Sequence, residues 1–290
     1  MKRLFRTLGV LACLLIPWGA AAAQDDKDNI AGPYVPTPWP IVDELLKLAD
    51  IGPNDLVYDL GSGDGRLVIT AAKRYGARGM GIELDGKLVK LATEGALREG
   101  VASRVKFVQG DLFESSFKDA SVVTLYLLPR FVTRLVPRFR EELRPGARIV
   151  SHDYPLSPWP PDKTLSFEVD EKEPITGSKR TVLYFYVVPA RVGGTWELTL
   201  PKALAERALT MELMQGVEST SGVVRTGSDT FMLRDPTVRG ERLHFGLLYR
   251  GRLLAFNGTV ADKSMAGEVS VSGSKTAERW SARYVKPIAR

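Results

Sequence analysis

The sequence predicts an α/β fold whose sheet is mostly parallel with an antiparallel last strand, followed by a small antiparallel all-β barrel or sandwich. Three observations predict it. From Leu56 to Val188 short apolar runs alternate with helix-period segments, the pattern of strands joined by crossover helices. After Pro189 the alternation stops, and strand-like runs succeed one another between Gly, Ser, Asp and Asn turns. Just before that change, "LSFEVDE" and "RTVLYFYVVP" are adjacent with no helix read between them, so they read as an antiparallel pair ending the first sheet.

The first segment, "MKRLFRTLGVLACLLIPWGAAAAQDD", stands outside that fold. Its basic start, its apolar stretch from Leu8 to Ala20 and its Ala-x-Ala end before Gln24 read as a secretory signal peptide over residues 1–23. That predicts export, with the periplasm as destination, and membrane contact only if the leader stays uncleaved. Cys13, the sole cysteine, lies inside it, so a mature chain has no disulfide or thiol chemistry. Loss of Lys2, Arg3 and Arg6 lowers the formal net charge from +6 to +3, which argues against a nucleic-acid partner.

The remaining elements follow in order. "GPYVPTPWP" carries four prolines in nine residues and cannot be helical. "IVDELLKLADI" then has apolar residues at helical spacing, stopped by "GPND". "LVYDL", "ARGMGIEL", "RVKFVQGD", "SVVTLYLL" and "ARIVSHDY" read as strands. Between them "GRLVITAAKRYG", "GKLVKLATEGALREG" and "RFVTRLVPRFREEL" read as helices. From Trp196 to Tyr284 eight strand-like runs follow, with "KALAERAL" left ambiguous between helix and loop. The expected organisation is a first domain over 30–189 and an all-β domain over 194–287. Gly194, Trp196 and Arg283, in "VGGTWEL" and "RWSARYV", resemble the glycine-x-tryptophan start and late arginine of lipocalin-like barrels; alternatively, Trp196 simply plugs one end of the core.

The chemistry is concentrated in "VYDLGSGDGRLVITAAKRYGARGMGIELD". Gly61-Ser62-Gly63-Asp64-Gly65 turns from a strand straight into a helix, where small residues let backbone donors face a ligand. The third glycine is two positions after the second, and Arg66 stands where a dinucleotide fingerprint requires glycine. Asp59, two residues before the first glycine, suits a cationic or amino-bearing ligand and would repel a pyrophosphate. Glu83 ends the second strand 20 residues after Gly63, where a carboxylate accepts from ribose hydroxyls. Asp111 ends the third strand in "VQGDLF".

This arrangement resembles class I S-adenosylmethionine-dependent methyltransferases over roughly Tyr34 to Val188, which implies their Rossmann-like fold and their cofactor. The resemblance implies that Asp59, Gly61, Ser62, Gly63 and Gly65 surround the methionine part of S-adenosylmethionine. It further implies that Glu83 and Leu84 face the ribose, and that Asp111 and Leu112 face the adenine. "PYVPTPWPIVDELLKLADI" and "LYLLPRFVTRLVPRFREELRPGARIVSHDY" resemble the lysine methyltransferases that modify the ATP-synthase c-subunit and, more distantly, the non-SET histone lysine methyltransferases. The N/D-P-P-Y/F signature of base- and glutamine-methylating relatives is replaced by Leu127-Leu128-Pro129.

Methyl transfer is an in-line displacement that needs alignment and an unprotonated acceptor, not a covalent residue. Tyr126 and Tyr34 are expected to line the methyl channel, Tyr34 also touching cofactor, because aromatic rings suit a cationic donor. His152 and Asp153 close the fifth strand at the same edge, where one of them could assist deprotonation of the acceptor. The expected acceptor is a protein, through a lysine amine, or a small molecule; no metal is expected. Two other readings stand beside this one. One is an exported S-adenosylmethionine-binding protein without transfer activity. The other is a protein whose barrel binds lipid or peptide.

Overall fold

The computed structural model describes residues 34–274 and 276–288. The expected signal peptide, Cys13 and the polar leader lie outside the described residues. The first layer system comprises α1 (Trp39–Leu48), β1 (Leu56–Leu60), α2 (Arg66–Tyr75), β2 (Arg78–Glu83), α3 (Gly86–Arg98), β3 (Val105–Gln109), β4 (Val122–Leu125), α4 (Pro129–Glu142), β5 (Arg148–His152), β6 (Lys163–Glu168), α5 (Glu173–Thr176) and β7 (Arg180–Val187). Its seven strands lie in the order β3-β2-β1-β4-β5-β7-β6. The first five are parallel, and β7 runs antiparallel to both β5 and β6.

Strands β1, β4 and β5 are buried on both faces, so they show continuous apolar runs rather than alternation. Helix α1 buries Ile41, Val42, Leu45 and Leu46 along one face. Asp85 caps α3 by accepting from the Lys87 amide at 2.8 Å. Arg138 of α4 donates to the carbonyls of Leu112, Phe113 and Ser115, which pins the loop after β3 to the helix.

Two readings of this part need correction. The strand expected over "SVVTLYLL" ends at Leu125, because Pro129 opens α4 and the preceding Leu128 is held extended, outside the helical region. Tyr126 therefore sits on the loop between β4 and α4. The β6–β7 connection, read as free of helix, contains a 3-10 turn at Asp170–Lys172 and the single-turn α5. A segment of one turn has no apolar periodicity to detect.

The second sheet is a closed eight-stranded barrel: β8 (Gly194–Thr199), β9 (Leu209–Gln215), β10 (Thr220–Thr226), β11 (Asp229–Arg239), β12 (Arg242–Tyr249), β13 (Arg252–Ala261), β14 (Ser264–Val271) and β15 (Ala277–Lys286). Each strand pairs antiparallel with its neighbours, and β15 closes on β8. "KALAERAL" resolves as turns. The interior is filled by side chains: Phe245 stacks on Phe256 at 4.3 Å, and Trp280 meets both edge-on. Gly258 makes room for that packing, since a Cβ there would lie 2.5 Å from the Trp280 ring.

The lipocalin-like likeness ends at Trp196. That ring is buried, donates to the Val192 carbonyl and meets Tyr284 edge-on. Arg283 is on the outside, paired with Glu197 at 2.7 Å.

The described residues of both sheets fall in one compact unit. Ala190 donates to the Gly240 carbonyl, Arg239 pairs with Asp162, and Arg140 reaches the Gly216 carbonyl. Gly240 also lies against Gly146 and Val187. Gly146 precedes β5 and Val187 ends the antiparallel β7, so the barrel joins the parallel sheet at the edge where its parallel strands begin. The cofactor cradle expected from the sequence is at the other edge.

Candidate active site

The carboxyl ends of β1, β2, β3, β4 and β5 form the edge where open α/β sheets hold their ligands. The turn after β1 is built for close approach. Gly63 has a φ of +53°, and a Cβ there would lie 2.4 Å from the Tyr34 ring. Gly65 takes the left-handed N-cap of α2, with Phe107 and Ala92 filling the space where a side chain would go. Tyr34 covers one side of this loop, and Leu127 lies beside Gly61 on the other.

The segment carrying Tyr34 is tied down by a residue that sequence reasoning noted only as a departure from another fingerprint. Arg66 makes a two-pronged ion pair with Asp64 and donates to the Thr37 carbonyl at 2.7 Å. Its guanidinium also lies 5.2 Å from the Trp39 ring centre. Burial, and then the Asp64 carboxylate, push the Tyr34 phenol above its usual range.

Asp59 is buried at the end of β1 and accepts from the Thr124 hydroxyl at 2.6 Å. Burial lifts its carboxyl to about 7, with Glu83 and Asp64 adding like-charge repulsion against the bond from Thr124. Glu83 accepts from the Gly63 amide at 2.8 Å and from the Asp85 amide at 3.0 Å. That carboxylate is thereby locked to the glycine turn. Asp111 accepts from the Phe113 amide, and Leu112 is buried. Leu84, half-buried, offers its carbonyl to Gln109. Ser62 is buried, and its hydroxyl has no partner among the described residues.

At the β4 and β5 ends the structure brings Tyr126, His152 and Asp153 together. The Tyr126 ring covers His152 at 3.9 Å between centroids, with Tyr154 at 6.5 Å. His152 is wholly buried, and neither ring nitrogen has a hydrogen-bond partner among the described residues. Burial lowers its pKa to about 4, so it is neutral at physiological pH. Burial, and then Asp153, raise the Tyr126 phenol, which keeps its proton. Asp153 has a φ of 61°, accepts from the Val182 amide and pairs with buried Lys172 at 2.6 Å. Its carboxylate is thus engaged in joining β5 to β7. Tyr34 is not part of this cluster; it belongs to the glycine turn.

Sequence reasoning missed Thr124, Asp64 and Lys172. Thr124 had one signal, a hydroxyl inside an otherwise apolar run. Lys172 had none.

The residues present fit S-adenosylmethionine. The glycine turn leaves backbone room, the buried acid Asp59 ends the strand before it, and a second acid, Glu83, is hydrogen-bonded to the turn. The ANTKMT methyltransferase domain family matches residues 59–163. A protein-lysine N-methyltransferase from Saccharolobus islandicus is 36% identical over 157 residues, covering 54% of this chain and 93% of that relative. A lysine N-methyltransferase of the ATP-synthase c-subunit from Xenopus laevis is 34% identical, covering 57% of this chain and 70% of that relative. The crystal structure of an RNA methyltransferase from Salinibacter ruber in complex with S-adenosyl-L-homocysteine is 49% identical with a TM-score of 0.50, covering 55% of this chain and 96% of that one. The order of acids and glycines along the sheet edge and these matches lead to one assignment: the chain belongs to the family of S-adenosylmethionine-dependent methyltransferases that includes these protein-lysine N-methyltransferases.

Proposed function

We propose that the chain methylates a lysine side chain of a protein. The observation that carries this reading is the match to lysine methyltransferases over nearly the whole of one relative. The chemistry of the edge supports it. With Asp64 paired to Arg66 and Asp59 raised to about 7, Glu83 and Asp111 leave the cradle acidic, which disfavours a phosphate-rich acceptor. When bound, S-adenosylmethionine supplies an electrophilic methyl group on a cationic sulfur. In our reading Gly61, Ser62, Gly63 and Gly65 hold its methionine part, Glu83 with Leu84 the ribose, and Asp111 with Leu112 the adenine.

Tyr126 lines the approach of the acceptor, and Tyr34 covers the cofactor side at the glycine turn. Tyr126, protonated and partly exposed beside Asp153, presents an oxygen that can accept from the incoming amine and orient its lone pair. His152 lies behind that ring and supports its position. Asp153 holds the β5 end in place through Lys172 and Val182.

The Salinibacter relative, described as an RNA methyltransferase, motivates one other reading, an RNA acceptor. The two separate directly. Purified chain incubated with isotopically labelled S-adenosylmethionine and a mixture of protein and RNA should place label on lysine, read by peptide mass spectrometry, with release of S-adenosylhomocysteine. Label confined to RNA would overturn the lysine assignment, and cofactor binding without any label would favour a binding protein. We further propose that residues 30–189 and 194–287 are separate folding domains, and that the mature chain begins near Gln24 in the periplasm, the basic-apolar-Ala-x-Ala leader being the support for export.

A further inference from the structure

The barrel carries an exposed apolar row that the packing of its core does not require. Val223 pairs with Met232 across β10 and β11. Leu233 opposite Leu247 sets Met232 beside Leu248, and Leu248 pairs with Leu253 across β12 and β13. Leu233, Leu247 and Leu254 point inward and are buried, so this row faces outward. Met232, Leu248 and Leu253 are 66%, 44% and 40% exposed.

The row lies towards the barrel end away from the junction. Strand β12 starts at the β11–β12 turn, where Gly240 touches the parallel sheet, and runs to Tyr249 at the other end. There Arg250 and Arg252 flank the β12–β13 turn, both exposed and without an ion-pair partner among the described residues. Arg234 is exposed two residues from Met232. Arg225, near the β10–β11 turn, is offset by Glu212, and Asp229 is the acid at that tip.

We propose that this end of the barrel docks on an anionic lipid surface. Long apolar side chains in single file on a convex sheet offer no groove and little area for a protein partner, which needs about 800 Å² on each side. The same side chains reach the acyl boundary of a bilayer while neighbouring arginines remain among headgroups, the arrangement of peripheral membrane proteins. Among the described residues no helix is long and apolar enough to cross a membrane; contact through this face rests on the row and its arginines. Such contact would not depend on retention of the leader, contrary to the expectation from sequence.

The test uses the full chain carrying Cys13→Ala and Leu248→Cys, labelled at position 248 with an environment-sensitive fluorophore. A parallel chain carries the label at Ser264→Cys, an exposed position at the start of β14, at the barrel end nearer the junction. Vesicles containing phosphatidylglycerol should shift the emission of the first label to the blue and leave the second unchanged, and neutral phosphatidylcholine vesicles should move neither. Because the label reports on the row itself, insertion of an apolar amino terminus does not reproduce the result. Arg250→Gln with Arg252→Gln should weaken partitioning by about twenty-five-fold, at about fivefold for each cation. Met232→Ser with Leu253→Ser should weaken it by about tenfold or more, with circular dichroism unchanged because both side chains are exposed. No blue shift, or a shift indifferent to these substitutions, would overturn the proposal. So would concentration-dependent dimerisation that the serine variant abolishes, which would assign the row to a second copy of this chain.

Discussion

The two sheets treat buried polar groups in opposite ways. In the barrel the large polar-tipped side chains are satisfied: Trp196 donates to the Val192 carbonyl, and Trp280 to those of Asn257 and Glu268. In the parallel sheet, Ser62, His152 and Thr181 are buried with unpartnered polar atoms, and Asp59 is buried with its carboxyl raised to about 7. Most of these lie at the carboxyl edge of the strands. A sheet that only folds has no reason to keep such groups, each of which costs stability. A sheet that must meet a charged ligand does. The barrel is packed for structure inside and carries its unusual chemistry outside; the parallel sheet carries it within.

The largest effect that probes this contrast is in the barrel core. Trp280→Ala should cost about 3–5 kcal/mol, the range for removing a buried aromatic ring. Because the barrel joins the edge away from the cradle, S-adenosylmethionine affinity at low temperature should change less than about twofold, well under 1 kcal/mol. Denaturant unfolding and calorimetry on the same variant would measure both, and a matched loss of affinity would mean that the cradle depends on the barrel.

The second effect concerns pH. An acid raised to about 7 when folded holds a proton that the unfolded chain has released above the usual value of 3.8, so its contribution falls as pH rises through that window. A histidine lowered to about 4 acts oppositely. The unfolded chain takes up a proton below 6.5 while the folded one stays neutral, so stability rises with pH between those values. Each slope has a ceiling of about 1.4 kcal/mol per pH unit, and between pH 4 and 6.5 the two oppose each other. Wild-type stability should therefore be nearly flat there. Asp59→Asn, which preserves the contact with Thr124, should leave stability rising with pH. A flat profile in that variant would show that His152 does not titrate on unfolding.

The smallest effect is local to the cradle. Glu83→Ala should weaken S-adenosylmethionine binding by about 1–3 kcal/mol, the usual cost of leaving buried hydroxyl donors without an acceptor. Calorimetry would read it directly. Unchanged affinity would remove Glu83 from the ribose. The same substitution frees the Gly63 amide, so Glu83→Gln, which still accepts from that amide, separates loss of the ligand contact from loosening of the turn.

Sequence alone determined the order of strands and helices, the barrel strands and the acid-glycine spacing of the cradle. These are local: a period of two or near four in apolar residues, and glycines where a strand turns directly into a helix, are imposed by backbone geometry within a few residues. Only the tertiary structure decided which polar groups meet. Thr124 reaches Asp59 across neighbouring strands, 65 positions apart. Arg66 fastens a carbonyl 29 positions earlier, and Lys172 holds Asp153 from a single turn with no periodic signature. Tertiary structure also decided that Arg283 faces solvent rather than Trp196, and that the barrel adjoins the edge away from the cradle. Such pairings depend on register and on how the two sheets meet, which are set by long-range packing and leave no mark at the spacing of a motif.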